Sequence, residues 1–303
     1  MNSINIQKII DTFKLKVVVE GDPEQAVTEY EVNRSGLQLT GFYGFFQYKQ
    51  IQMLGNAEIY YLQNLSQEER RRSIYKLMSK EIPCLIIANK NEIMEDFIEA
   101  ARDNKRWLLW SEKETSDLKV DLTLYLQNQL AESIQCHATL MDVYGVGVLI
   151  TGESGIGKSE TALALLQDNH LLVADDSVTI KRPRPDMLFG SGPELTKDLL
   201  EVRGIGILDI RTLYGLKAIR ADKKIDIIVH LEPWLPPYDY DRLGDHYEYK
   251  EILGIKIPYI RIPVRPGRTI ASIIEVAALN FRQNKLGINI VELLDERLKN
   301  INY

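Results

Sequence analysis

The string "GVGVLITGESGIGKSETALALL" (145–166) constrains the fold more than any other part of the chain. At its centre, Gly152, Glu153, Ser154, Gly155, Ile156, Gly157, Lys158 and Ser159 fit the pattern G-x-x-x-x-G-K-[ST]. Residues 146–151 are apolar and β-branched and read as a strand, whereas 159–167 read as a helix. A glycine-rich turn between strand and helix is the setting in which this motif has physical meaning. Glycines at 152, 155 and 157 let the backbone curl until its N–H groups converge on one point, and the helix start adds its own positive end. Lys158 offers a mobile cation for β and γ phosphates, and Ser159 offers a hydroxyl to Mg²⁺. The chain therefore needs an α/β fold that holds a polyphosphate.

With 303 residues there is room for two domains. The first half alternates helical and strand-like patterns, which predicts at least a partly parallel sheet. A short amphipathic helix spans Ile6 to Phe13, and 16–19 follow as a strand. Residues 66–80 form a helix capped by Ser66 with Glu69 three residues on, a capping box. Residues 82–89 and 106–110 read as strands around a helix at 92–104, and a further helical segment runs from 111 to about 133. The domain boundary is placed at 128/129, just ahead of "SIQCHATLMDVYG", giving an N-terminal α/β domain and a C-terminal P-loop domain. "ANKNE" (88–92) faintly resembles a guanine-reading motif but precedes the P-loop, so it reads as a polar turn. The formal net charge of −6 disfavours a nucleic-acid partner. Two cysteines without a Cys-x-x-Cys support neither a disulfide framework nor a zinc site, and they fit a cytoplasmic setting. No apolar run reaches the roughly 18 residues of a membrane span.

Further chemistry clusters after the P-loop. Residues 171–174 make a strand that ends in Asp175-Asp176 and is expected in the same parallel sheet as the P-loop strand, with its C-terminal end facing the ligand crevice. Two carboxylates there suit metal binding through water and proton acceptance. "LLEVRGIGILDI" puts Glu201 and Arg203 ahead of Gly204 and Gly206, which permits close approach to a ligand or, equally, a glycine-bulged edge strand. Arg242 sits among acidic neighbours in "YDYDRLGDH" and pairs either with them or with phosphate oxygens. Arg265 and Arg268 lie in a Pro-Gly loop ahead of a helix that Thr269 can cap, and 288–301 form a terminal amphipathic helix. His137 opens a strand candidate. On the residues alone it reads as structural, and its neighbour Cys136 faces the other side of a strand.

"MDVYGVGVLITGESGIGKSETALALL", "LVADDSV", "EVRGIGILDIRTLYG", "YDRLG" and "IPVRPGR…IIEVAALN" occur in one order within one domain. Together they closely resemble the bifunctional HPr kinase/phosphorylase family over about residues 130–290. The resemblance implies a catalytic domain similar to phosphoenolpyruvate carboxykinase. It implies ATP or pyrophosphate as phosphoryl donor with Mg²⁺ or Mn²⁺, and a serine of the phosphocarrier HPr, or of an HPr-like paralogue, as acceptor. The reverse reaction is implied too, in which phosphate attacks phosphoserine and releases pyrophosphate, all in the service of carbon catabolite repression and sugar uptake. A homohexamer without nucleic-acid or membrane partners is implied as well.

Carried over by motif, His137, Lys158, Asp176 and Arg242 fall on catalytic positions. Ser159 and Glu201 fall on metal positions, and Asp175 is a further metal candidate. The segment Glu201, Val202, Arg203, Gly204, Ile205, Gly206, Ile207, Leu208, Asp209 and Ile210 matches one needed in both directions. Pro263, Val264, Arg265, Pro266, Gly267 and Arg268 match a loop needed mainly for dephosphorylation. Ala138 stands where the family usually has Gly, and Thr269 where Asn is common. The alternative enzyme is a small-molecule P-loop kinase or carboxykinase-like catalyst. A nucleotide-dependent switch is a third reading, but "DDSV" lacks the Asp-x-x-Gly that a switch GTPase places after its P-loop.

Overall fold

The computed structural model describes residues 2–234, 248–265 and 267–287. Arg242, Pro266 and the amphipathic segment 288–301 lie outside the described residues. The chain divides into two compact units, Met1–Ala131 and Glu132–Tyr303. Both are mixed α/β.

The first unit is built on strands β1 (Lys16–Val19), β2 (Val32–Arg34), β3 (Ile51–Leu54), β4 (Cys84–Ile87) and β5 (Trp107–Trp110), in the order β1-β5-β4-β3-β2. The β2–β3, β3–β4 and β4–β5 pairs are parallel, and β1 is an antiparallel edge. Strand β4 is buried at every position, as a central parallel strand covered on both faces must be. Two of the unit's helices follow from local capping signals. In α1 (Ile6–Phe13), Ile6, Ile9 and Ile10 are buried on one face, and the Asn5 side chain accepts from the Gln7 N–H. In α2 (Gln67–Met78), Ser66 and Glu69 exchange bonds as a capping box. Helices α3 (Glu95–Asp103) and α4 (Thr115–Leu130) start later than their sequence patterns do. Asn89 and Lys90, inside the GTPase-like string, turn through the left-handed region at φ 63° and 55°.

In the second unit the chain forms β6 (Glu132–Cys136), β7 (Thr139–Val143), β8 (Val146–Gly152), α5 (Lys158–Gln167), β9 (Leu171–Ala174), β10 (Val178–Arg184) and β11 (Met187–Ser191). It continues with β12 (Leu199–Val202), β13 (Gly206–Asp209), α6 (Ile210–Tyr214), β14 (Asp222–Lys224), β15 (Ile227–Pro233), β16 (Glu248–Ile252), β17 (Ile255–Val264) and α7 (Ile270–Lys285). Among the described residues, six strands form the main sheet in the order β9-β7-β8-β15-β17-β16, and four form a second sheet, β14-β11-β10-β6. Period-2 alternation splits the main sheet between two cores. Val148, Ile150 and Val229 pack with Leu165, Ile274 and Ala278 beneath α5 and α7. Leu149 and Ile228 face the other way, onto Val178, Ile180 and Leu188 of the second sheet.

Two features differ from the sequence reading. Strand β9 shares the sheet of the P-loop strand, as expected, but that sheet is mixed rather than parallel. Antiparallel β7 stands between them, paired with β8 on one side and β9 on the other. Two reversals leave β9 running in the same sense as β8, so Asp175 still emerges at the P-loop end. The second difference concerns "SIQCHATLMDVYG". The strand expected to open at His137 starts at Thr139, and Cys136 ends β6 of the second sheet while β7 belongs to the main sheet. His137 and Ala138 make the step between sheets, with Ala138 fully buried among both.

At the opposite end of β7, Asp142 is 4% exposed and accepts from Lys223 Nζ at 2.8 Å and from an Arg220 Nη1 at 2.9 Å. Close by, β8 passes so near the Lys224 carbonyl that a Cβ on Gly147 would stand 1.8 Å from its oxygen. Only glycine fits there.

Candidate active site

Strand β8 delivers the chain into the glycine loop, where Gly152, Gly155 and Gly157 take φ values of 146°, 84° and 105°. Glycine reaches this region without steric cost. Helix α5 begins at Lys158, with Gly157 as its N-cap, so the loop's N–H groups and the helix start share one focus. Lys158 is 6% exposed, and its Nζ donates to the carbonyls of Gly152 and Glu153, both at 3.1 Å. Burial holds its ammonium below the usual lysine range, and the carboxylates of Asp175 and Asp176 oppose that shift.

One cleft brings together the loop, Lys158 and Ser159 with His137, Asp175, Asp176, Glu201 and Arg203. The two aspartates differ sharply. Asp175 is 5% exposed, and its carboxylate accepts from Thr139 Oγ1 at 2.6 Å, Ser159 Oγ at 2.9 Å and the Glu201 N–H at 3.4 Å. Asp176 has turned out of the strand at φ 64°, which Asp tolerates better than most residues. Its side chain is 69% exposed, and its Oδ1 lies 2.9 Å from His137 Nδ1. The labour is therefore divided: a buried, fully partnered carboxylate at the loop, and an open one on the rim. Cys136 ends β6 instead of joining this cleft, and burial pushes its thiol up, away from reactivity.

The segment from Glu201 to Ile210 is a hairpin of β12 and β13 followed by the start of α6. Its tip projects Arg203 over the glycine loop. A Cβ on Gly155 would lie 2.5 Å from the Arg203 guanidinium, and an Arg203 Nη2 donates to Ser154 Oγ at 3.4 Å. Asp209 is not in the cleft; it caps α6 by accepting from the Thr212 N–H at 3.0 Å. Ile205 and Ile207 stand 68% and 70% exposed on the hairpin. Arg265, at the end of β17, lies over the Trp234 ring rather than in the cleft. Thr139, Glu160 and the Arg203 contact escape a linear reading. Glu160 lines the cleft as the acidic residue in the first turn of α5. Thr139 carries no signal of its own, because its contact depends on β7 lying next to β9.

The donors around the cleft fit Mg²⁺: Ser159 Oγ and the carboxylates of Asp175 and Glu201 are hard oxygens. Among the described residues no cluster of three or more His, Cys, Asp or Glu makes a ready protein cage. Mg²⁺ suits such a site, since it takes one or two carboxylates together with substrate phosphates.

Gly155→Ala is expected to weaken Mg-ATP binding about tenfold, because left-handed alanine costs about 1–2 kcal/mol and its methyl displaces Arg203. Titration calorimetry beside a melting curve checks this; unchanged affinity would show that the loop does not hold the nucleotide.

A strand, a glycine cradle and a helix, faced by one sequestered and one open carboxylate, define a P-loop protein built to handle phosphoryl groups. Residues 128–298 match the HPr Serine kinase C-terminal domain, and residues 4–126 match the HPr Serine kinase N terminus. A relative named HPr kinase/phosphorylase from Clostridium perfringens (strain SM101 / Type A) is 45% identical over 97% of this chain and 96% of its own. One of the same name from Caldicellulosiruptor bescii is 43% identical over 97% of this chain and 95% of its own. A solved Hpr(Ser) kinase/phosphatase from Coxiella burnetii is 35% identical, covering 53% of this chain and 98% of its own at a TM-score of 0.48. The chain belongs to the HPr serine kinase family.

Proposed function

We propose that this chain is a bifunctional protein-serine kinase and phosphorylase that acts on a serine of the phosphocarrier HPr. The observation that carries this reading is the His137–Asp176 pair on the open rim of the phosphate cleft. A serine on a protein surface can reach a carboxylate that is 69% exposed, whereas a closed small-molecule kinase buries its base. The bare Ile205 and Ile207 beside the cleft support a macromolecular acceptor over a small one.

The chemistry runs as follows. Asp176 takes the serine proton as Oγ forms its bond to the γ phosphorus and the bond to the β–γ bridging oxygen breaks. His137 holds Oδ1 of that carboxylate and leaves Oδ2 toward the hydroxyl. Lys158, the curled N–H groups and Arg203 meet the negative charge that spreads over the phosphoryl oxygens. Mg²⁺, when held by Ser159, Asp175 and Glu201, supplies further neutralisation of the β and γ oxygens. In reverse, an oxygen of inorganic phosphate bonds to the phosphoserine phosphorus. The serine leaves with the proton from Asp176, and pyrophosphate is formed. By the family pattern Arg242 is a catalytic arginine, and the loop Pro263–Arg268 serves mainly the reverse reaction. The same reading extends to pyrophosphate as donor, to Mn²⁺ in place of Mg²⁺, to an HPr-like paralogue, and to a homohexamer in the cytoplasm. Among the described residues no helix is long and apolar enough to cross a membrane.

Incubation with HPr and Mg-ATP is expected to yield phosphoserine, read by mass spectrometry. ATP turnover with HPr unmodified would favour a small-molecule kinase or carboxykinase-like enzyme.

A further inference from the structure

The step between the two sheets supplies a partner to each carboxylate of the cleft. His137 Nδ1 lies 2.9 Å from Asp176 Oδ1, and Thr139 Oγ1 lies 2.6 Å from Asp175 Oδ1. Strand register explains the second contact. Leu140 of β7 stands opposite Ala174 of β9, so the next place toward the loop end sets Thr139 opposite Asp175. On its other side Thr139 pairs with Ile150 of the P-loop strand. A side chain of the antiparallel insert is thereby wedged between the strand that leads into the glycine loop and the strand that carries the aspartates.

Thr139 is fully buried, behind the cleft. An ionised carboxylate only accepts, so the threonine hydroxyl donates to Oδ1. Bonds of this kind, to a charged acceptor, are the strong ones. A β-branched side chain has little freedom at χ1, so the hydroxyl cannot swing away. The other oxygen, Oδ2, accepts from Ser159 Oγ at 2.9 Å and from the Glu201 N–H at 3.4 Å. Anchoring Oδ1 fixes the plane of the carboxylate and keeps Oδ2 aimed at those two residues. Asp175, Ser159 and Glu201 are the three oxygen donors assigned to Mg²⁺ above, and all three are held in register through one buried hydroxyl.

We propose that Thr139 is a positioning residue for the divalent cation: by locking Asp175 it sets how tightly Ser159, Asp175 and Glu201 hold the ion. This deepens the metal reading of the cleft and rests on it. It also divides the work of the step between the sheets. His137 holds the open carboxylate that handles the serine proton, and Thr139 holds the buried one that faces the metal donors. Outer partners of this type typically change metal affinity 10–100-fold.

Titration of the full chain with Mn²⁺ and a non-hydrolysable ATP analogue tests the assignment, with free Mn²⁺ read by electron paramagnetic resonance and a melting curve beside it. Thr139→Val keeps the branched shape, removes the hydroxyl, and is expected to weaken Mn²⁺ on the order of tenfold or more. Affinity for the analogue in EDTA should stay at the wild-type value, because the glycine cradle and Lys158 are untouched. Thr139→Ser keeps the hydroxyl and drops a buried methyl group, and its Mn²⁺ affinity should stay near that of the wild type. A Val variant that melts earlier yet binds Mn²⁺ as before would reduce Thr139 to a packing residue and overturn the assignment. So would an equal loss of the analogue with and without metal, or a Ser variant that loses Mn²⁺ affinity by tenfold or more. The Ser variant decides the matter alone if the Val variant does not fold. No HPr is present in these titrations. A selective loss of Mn²⁺ in the Val variant, with no phosphorylation of HPr by the wild type, would retain the positioning role and reject the protein-kinase reading instead.

Discussion

Asp176→Asn is expected to abolish transfer in both directions, with each rate falling by a factor on the order of 10²–10⁴. The amide keeps the size of the side chain and can still meet His137 Nδ1, so the rim of the cleft keeps its shape. What it loses is the ability to accept a proton from serine or return one to it. Mg-ATP affinity should hardly change, because the donors facing Ser159 are those of Asp175, which has its own buried partners. Rapid-quench measurement of phosphoserine formation and of its phosphorolysis, beside equilibrium nucleotide binding, checks this. A large loss of nucleotide affinity would mark Asp176 as a metal anchor instead of a base.

The largest stability effect is expected at Asp142, away from the chemistry. Its carboxylate is buried and takes a bond from Lys223, itself only 8% exposed, while Arg220 adds a second cation. Asp142→Ala leaves the Lys223 ammonium buried with only the Gly145 carbonyl for company, at 2.7 Å. Breaking such a buried pair from one side costs about 3–5 kcal/mol. Denaturant unfolding should show that loss, and Asp142→Ala combined with Lys223→Met should recover much of it, since the stranded charge is then gone. A single variant as stable as the wild type would show that Lys223 finds water instead. The effect matters for the site because β7 carries Asp142 at one end and Thr139 at the other.

Thr139 marks where sequence reading reaches its limit. The glycine loop between strand and helix is legible because its signals are local: β-branched residues, three glycines, a lysine and a helical run. The capping box at Ser66 and Glu69 is local too, and it forms as the spacing requires. The pairing of β7 with β9 is not local. Alternation announces that a strand exists but not which strand it will pair with. The expected parallel sheet therefore takes in an antiparallel strand between β8 and β9, and the buried hydroxyl that orients Asp175 stays hidden until the sheet is assembled. His137 is the same lesson from another side. On its own it reads as a structural histidine, and only the step between two sheets brings it to Asp176. The exposed hairpin tip, with Arg203 over Gly155, likewise depends on where β12 lands against α5.

The central claim is that one cleft moves a phosphoryl group both onto and off a serine. The most direct test supplies serine-phosphorylated HPr and excess inorganic phosphate to the same preparation that phosphorylates HPr with Mg-ATP, and measures pyrophosphate. Pyrophosphate should appear in step with the loss of phosphoserine, and Asp176→Asn should remove this reaction together with the forward one. Loss of phosphoserine as free phosphate without pyrophosphate, or a variant that loses only one direction, would contradict it.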